Sequence, residues 1–128
     1  MKLFMLFLIL AAGTLSAQQW QWPDKPKNIT ALPSSVTGRD LQRVMFGYTG
    51  SLGVKCTYCH VGQEGADFKD FDFVSDAKPA KNKARMMIKM VKEINTKYLA
   101  DFHDDKNPGI QVNCQTCHSG KPTPITLE

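Results

Sequence analysis

The sequence predicts a mostly α-helical fold with much irregular coil, built from two helix–turn–Cys-x-x-Cys-His repeats. Three observations carry that prediction. The pattern Cys-x-x-Cys-His occurs twice, as Cys56, Cys59, His60 and as Cys114, Cys117, His118, and the two copies use all four cysteines of the 128-residue chain. Each copy follows a segment whose apolar residues recur with helical spacing. Strand-like alternation is almost absent, and the segments between are punctuated by proline and glycine.

Cys-x-x-Cys-His is the pattern that attaches a c-type haem. The two thiols close thioether bonds to the haem edge, and the adjoining imidazole ligates the iron. Zinc is the chief rival, because two such pairs can supply four thiolates. Ribbon-type zinc pairs, however, stand about 15–20 residues apart, whereas 54 residues separate Cys59 from Cys114. Zinc and a pair of disulfides also leave both histidines without a role. The chain is therefore expected to bind two haems covalently, through Cys56 and Cys59 with His60 on the first iron, and through Cys114 and Cys117 with His118 on the second.

From the N-terminus, Met1–Ala17 reads as a secretory signal peptide: Lys2, the apolar run Leu3–Ala12, and Leu15-Ser16-Ala17 before cleavage at Gln18. The apolar run falls short of the roughly 20 residues that span a membrane, although an uncleaved anchor is the alternative. The mature chain is expected to be exported, periplasmic and soluble. A formal net charge of +4 is too modest to indicate nucleic acid. Residues 18–35 form an extended arm, with Pro23, Pro26 and Pro33 precluding regular structure and Trp20 and Trp22 packing it to the core. Residues 36–128 form one small domain, whose core is marginal at this size. Two haem rings would complete it, and the apo-protein is expected to fold poorly.

The first helix is predicted from about Gly38 to Tyr48, with Leu41, Val44, Met45 and Tyr48 on one face and Thr37 as the cap. Gly47, Gly50 and Gly53 are expected to break it. The turn then folds Met45, eleven residues before Cys56, over the haem face opposite His60 as sixth ligand, the alternative being a core methionine. Between 61 and 76, the carboxylates of Glu64, Asp67, Asp70, Asp72 and Asp76 read as a solvated face, with Phe68, Phe71 and Phe73 as haem cover. No twelve-residue calcium loop is present.

The second helix is predicted from about Pro79 to Tyr98, its stripe formed by Ala84, Met87, Met90 or Val91, Ile94 and Tyr98. Lys78, Lys81, Lys83, Arg85, Lys89 and Lys92 give it a basic surface. That surface reads as solvated, with docking of an acidic redox partner or propionate pairing by Arg85 as alternatives. For the second iron, Met86, Met87, Met90 and His103 compete. Steps of about 100° turn Met86 off the stripe, and His103 reads as solvated among Asp101, Asp104 and Asp105. Spacing does not choose between Met87 and Met90.

The residues around both motifs resemble the cytochrome c subunit family of photosynthetic reaction centres. The resemblance is carried by Met45 with Ser51-Leu52-Gly53-Val54-Lys55-Cys56-Thr57-Tyr58-Cys59-His60. It is carried again by Ala84-Arg85-Met86-Met87-Ile88-Lys89-Met90 through Ile94-Asn95, and by Val112-Asn113-Cys114-Gln115-Thr116-Cys117-His118-Ser119-Gly120. Lys27-Asn28 and Leu32-Pro33 resemble the family's lead-in. The resemblance implies a helix methionine as sixth ligand: Met45 for the first haem and Met87 for the second. It implies one-electron transfer between periplasmic or membrane-bound redox proteins, with no small-molecule substrate. Family members typically carry four haems on a longer chain, so two haems are a departure and photosynthesis does not follow. His/Met ligation raises the haem potential, which suits a carrier in respiration. A haem enzyme, the reading from another class, needs an open sixth position and distal acid–base groups, and no second histidine or glutamate cluster adjoins either motif. A passive assembly subunit is the third reading.

Overall fold

The computed structural model describes residues 20–102 and 109–124. Three α-helices organise it: α1, Gly38–Leu52; α2, Pro79–Glu93; and α3, Cys114–His118. A π-helical turn, Ile94–Tyr98, prolongs α2, and 3-10 turns occur at Cys56–Tyr58, Phe68–Asp70 and Ala100–Phe102. Among the described residues there is no strand. The one sheet-like contact among them is an isolated antiparallel bridge, where the Asp72 N–H donates to the Val61 carbonyl at 2.9 Å. The fold is mostly helical with much coil, as the sequence predicts. No helix among the described residues is long and apolar enough to cross a membrane. The expected signal peptide and His103 lie outside the described residues.

Helix α1 starts where predicted and runs about one turn further. Thr37 holds the N-cap position in extended backbone, but its hydroxyl makes no capping bond. Its carbonyl instead accepts the N–H groups of Asp40 and Leu41, at 3.0 and 3.3 Å. Gly47 and Gly50, expected to break the helix, lie inside it. Each weakens a helix by about 1 kcal/mol relative to alanine, and the inward-facing Tyr48 and Leu52 on the same turns supply the compensating burial. Gly53 is the real stop. Its φ of +62° is a left-handed C-cap, and the next residue, Val54, donates back to the Thr49 carbonyl at 3.1 Å.

Gly53 also allows a close approach. A Cβ there would overlap the Gly120 carbonyl, while the Gly120 N–H donates to the Ser51 carbonyl at 2.9 Å. The end of α1, just before the first motif, is thus pinned to the loop just after the second. A second tie runs from the π turn. The Asn95 side chain donates to the Val112 carbonyl and accepts the Val112 N–H, both at 2.8 Å. These contacts hold residues 112–120 against both long helices.

Leu41, 6 % exposed, is the only fully buried hydrophobic residue among those described. Other apolar side chains, among them Met45, Leu52, Phe73 and Ile88, wall a cavity of about 580 Å3 between the arm, α1, α2 and both motifs. The arm joins this wall through Trp20, whose ring centroid lies 5.2 Å from Phe68 and 5.6 Å from Phe73, and through Trp22, 5.9 Å from Phe46.

The five connector carboxylates are exposed, as the sequence predicts. From that face the Asp72 carboxylate accepts the N–H groups of Val74 and Ser75 at 3.0 and 2.9 Å, and Asp76 pairs with Lys81 and Arg85. The basic helix surface, read as solvated, needs correction. Lys81 is buried at 8 % exposure, Arg85 is half-buried, and Lys78 donates to the Thr57 carbonyl. Lys81, Ala84, Arg85 and Ile88 fall at i, i+3, i+4 and i+7, one inward face, so position outweighs side-chain charge there.

Candidate functional site

Both motifs are single helical turns. In the first, the Cys59 and His60 N–H groups donate to the Cys56 carbonyl at 3.3 and 2.9 Å. In the second, α3 starts with a capping box: Asn113 Oδ1 accepts the Thr116 N–H at 3.2 Å, and Thr116 Oγ1 accepts the Asn113 N–H at 3.0 Å. Such a cap contributes about 1 kcal/mol to a helix start. A helical turn sets residues i, i+3 and i+4 side by side, which is the relation of the two cysteines and the histidine in each motif.

The cavity gathers Cys56, Cys59, His60, Cys114 and His118, together with Met45 from α1 and Met87 from α2. Cys117 is exposed and does not line the cavity; Met87 and Met90 are similarly exposed, at 40 % and 43 %, but only Met87 lines it. Met86, at 59 %, faces outward. Phe68, Phe71 and Phe73 form one wall, with the Phe71 and Phe73 rings stacked at 5.2 Å and 10°. Phe73 stands nearly edge-on to the His60 ring at 5.1 Å and 70°.

The electrostatics of the wall favour neutral ligands. Burial, reinforced by Lys81, lowers the His60 pKa to about 4, with Arg85 and Lys78 adding to the effect and the Phe73 backbone opposing it. His60 is therefore neutral at pH 7 and keeps a lone pair on its ring. Its buried Nδ1 has no hydrogen-bond partner. His118 is oriented differently: its Nδ1 lies 2.9 Å from the Lys121 carbonyl. A carbonyl only accepts, so Nδ1 carries the proton, and in the neutral ring Nε2 is free to ligate. Burial raises the Cys59 and Cys114 thiols above their usual value. Tyr48 lies beside Cys114, its phenol pushed up to about 12 by burial and by that thiol.

Among the described residues, no three His, Cys, Asp or Glu side chains are gathered as a metal-binding group. Neither a four-thiolate nor a mixed thiolate–imidazole zinc site is assembled among them. An apolar cavity edged by Cys56, Cys59 and Cys114, with an imidazole from each motif on its wall, fits a flat apolar macrocycle with a metal at its centre.

Residues 26–127 match the family described as the photosynthetic reaction centre cytochrome C subunit. The chain belongs to that family. Among curated relatives it is 29 % identical to cytochrome c-554 of Chloroflexus aurantiacus over 112 residues, covering 86 % of this chain and 24 % of that protein. It is 28 % identical over 110 residues to the photosynthetic reaction center cytochrome c subunit of Rubrivivax gelatinosus, covering 75 % of this chain and 28 % of that one. It is 34 % identical over 103 residues to the subunit of Roseobacter denitrificans, covering 79 % of this chain and 26 % of that one. The chain thus spans about a quarter of the length of these relatives. No solved structure matches it. Membership of this cytochrome c family implies covalently bound haem.

Two contributors to the site escaped the sequence reading. Lys81 sits on the cavity wall although its type suggests solvent, and Lys121 supplies the carbonyl that orients His118. The helical register of Lys81 with Ala84 and Ile88 could have found the first. The second is a backbone atom, for which residue type gives no signal.

Proposed function

We propose that the chain is a two-haem c-type cytochrome that carries single electrons between periplasmic or membrane-bound redox proteins. The observation that carries this reading is the convergence of both Cys-x-x-Cys-His turns on one apolar cavity, with a helix methionine from α1 and another from α2 on its wall. Cys56 and Cys59 hold the first haem and Cys114 and Cys117 the second. His60 and Met45 would hold the first iron, and His118 and Met87 the second. Met87 is preferred to Met90 because Met87 lines the cavity and Met90 does not. Each haem, when bound, supplies a one-electron iron couple, whose potential His/Met ligation raises.

The protein's own part is to bind, orient and shield. Thioethers at i and i+3 of a helical turn fix the macrocycle against the backbone. The Lys121 carbonyl holds the His118 tautomer, and the Trp20, Phe68, Phe71 and Phe73 rings exclude water from the first site. A histidine and a methionine on each iron would leave no position there for a substrate, which favours carrier function over catalysis. The N-terminal leader read from the sequence supports export to the periplasm.

Production in a host with haem-maturation machinery tests the reading. The intact mass should exceed that of the chain by two haems, and acid-acetone should not extract the colour. The oxidised protein should show the weak near-infrared band of methionine on ferric iron, weakened by Met45→Ala. The reduced protein should not bind carbon monoxide. Bound zinc, extractable colour or a single haem would each refute the proposal.

A further inference from the structure

The two motifs meet solvent differently. Rings from the arm and the connector wall the first, namely Trp20, Phe68, Phe71 and Phe73, and Met45 above it is half-buried. Residues 109–124, around the second motif, include no aromatic side chain. Cys117 is exposed there, and so is Met87 on α2. Residues three and four apart are neighbours on a helix surface, so Met87 is flanked by Lys83 and Met90. Lys83 lines the cavity with Met87 and is itself exposed, which makes this edge of α2 a lip of the cavity. Lys83, Met86 and Met90, at i, i+3 and i+7, continue outward from the lip as one exposed face, with Lys89 beside Met86.

That face is apolar at its centre and cationic at its rim. Methionine is enriched at protein interfaces, where its flexible thioether adapts to a partner's surface. Among the described residues neither Lys83 nor Lys89 forms an ion pair, and Glu93 is the one acidic residue between 79 and 98. Lys81 and Arg85, on the inward face, are by contrast answered by Asp76. A free cationic rim attracts an acidic surface over a screening length of about 8 Å at physiological salt and steers its approach. We propose that this face of α2 docks an acidic one-electron protein, and that the second haem is the one that exchanges electrons with it. The inference rests on the two-haem reading above, with Met87 on the second iron. One electron passes between the two metals, the donor is oxidised and the acceptor reduced, and no bond forms or breaks.

The test takes as probe a blue-copper protein of net negative charge, with one of net positive charge as its control. Calorimetric titration of the oxidised proteins, between which no electron can pass, reads docking alone. Stopped-flow mixing of the reduced two-haem protein with the oxidised probe reads transfer. Lys83→Gln with Lys89→Gln should weaken binding of the acidic probe and slow its reduction, each about tenfold at low salt. It should also flatten the dependence of both on salt. Lys25→Gln with Lys27→Gln removes the same charge from exposed positions on the arm and should leave both nearly unchanged. Neither pair should slow reduction of the cationic probe. A chain with Cys56→Ala and Cys59→Ala, which keeps only the second haem, should reduce the acidic probe as fast as the wild type. No loss in the α2 pair, equal loss in both pairs, or slow transfer from the second haem alone would overturn the proposal. If that last chain does not retain its haem, the lysine pairs decide by the same criterion. Binding to phosphatidylglycerol vesicles that the α2 pair abolishes, with docking and transfer to the probe unmoved, would assign the face to a membrane and overturn the proposal. A wild type with fewer than two haems overturns the two-haem reading and this inference with it. Two haems with docking and transfer unmoved by the α2 pair overturn this inference alone.

Discussion

Single side chains decide which ligands can reach a haem in this cavity. Met87 and Met90 are one helical turn apart and equally apolar, yet only Met87 lines the cavity. Met87→Ala should alter the low-spin electron paramagnetic resonance signal of the second haem, whereas Met90→Ala and His103→Ala should leave it unchanged. A change confined to the His103 variant would mean bis-histidine ligation and a lower potential. Asn95 shows what one amide can hold: two bonds of 2.8 Å to Val112, just ahead of the second motif. Asn95→Ala leaves a half-buried N–H and carbonyl without partners. It should destabilise the protein by about 1–3 kcal/mol, measured by denaturant unfolding.

Elements are joined here by close backbone contact more than by side-chain packing. Glycines make the contrast testable. Gly53→Ala must adopt a left-handed conformation, at a cost of about 1–2 kcal/mol, and must also displace the Gly120 carbonyl. Gly47, inside α1, has no heavy atom beyond its own helix backbone and chain neighbours within 4 Å of where its Cβ would stand. Gly47→Ala should therefore stabilise by about 0.5–1 kcal/mol. Thermal melts of the two variants should move in opposite directions. The clasp between α2 and the connector should respond to acid. Burial acts to raise the Asp76 pKa, but hydrogen bonds from Lys81, Arg85 and Asn28 outweigh it and hold the carboxyl below its ordinary value of 3.8. The folded state thus binds this proton less readily than the unfolded chain. Its contribution is whole above 3.8 and is lost as the pH falls below that. Asp76→Asn should lower the melting temperature near neutrality, with the difference from wild type shrinking in acid.

At the scale of the whole molecule, the chain folds around a cavity rather than around a solid core. With Leu41 alone fully buried among the described hydrophobics, the helices lack the apolar contacts that usually make folding cooperative at this size. Haem held in the cavity would supply them, and anything that binds only the native state adds to its stability. A chain with Cys56, Cys59, Cys114 and Cys117 all replaced by alanine should keep part of its helical circular dichroism but melt broadly. The wild type should show one sharp transition.

What was legible in the sequence is what depends on near neighbours. Cys-x-x-Cys-His places its three functional groups within five residues, so a single helical turn suffices to align them. The apolar period around Leu41, Val44 and Met45 likewise predicts α1, and Pro79 at the start of the second run predicts α2. These features, with the near absence of strand patterns, were enough for a mostly helical fold and for the family. What tertiary structure decided depends on groups far apart in the chain. Gly47 and Gly50 stay helical because the turns that hold them bury Tyr48 and Leu52 in the cavity wall, a benefit no local propensity records. Lys81 is buried because carbonyls six to eight residues earlier converge on its ammonium. Gly53 lies against Gly120 because helix ends and loops from opposite halves of the chain meet there. Residue type and spacing report the local free energy of a turn. Which charge is desolvated, and which methionine faces the cavity, is set by what the rest of the chain brings alongside.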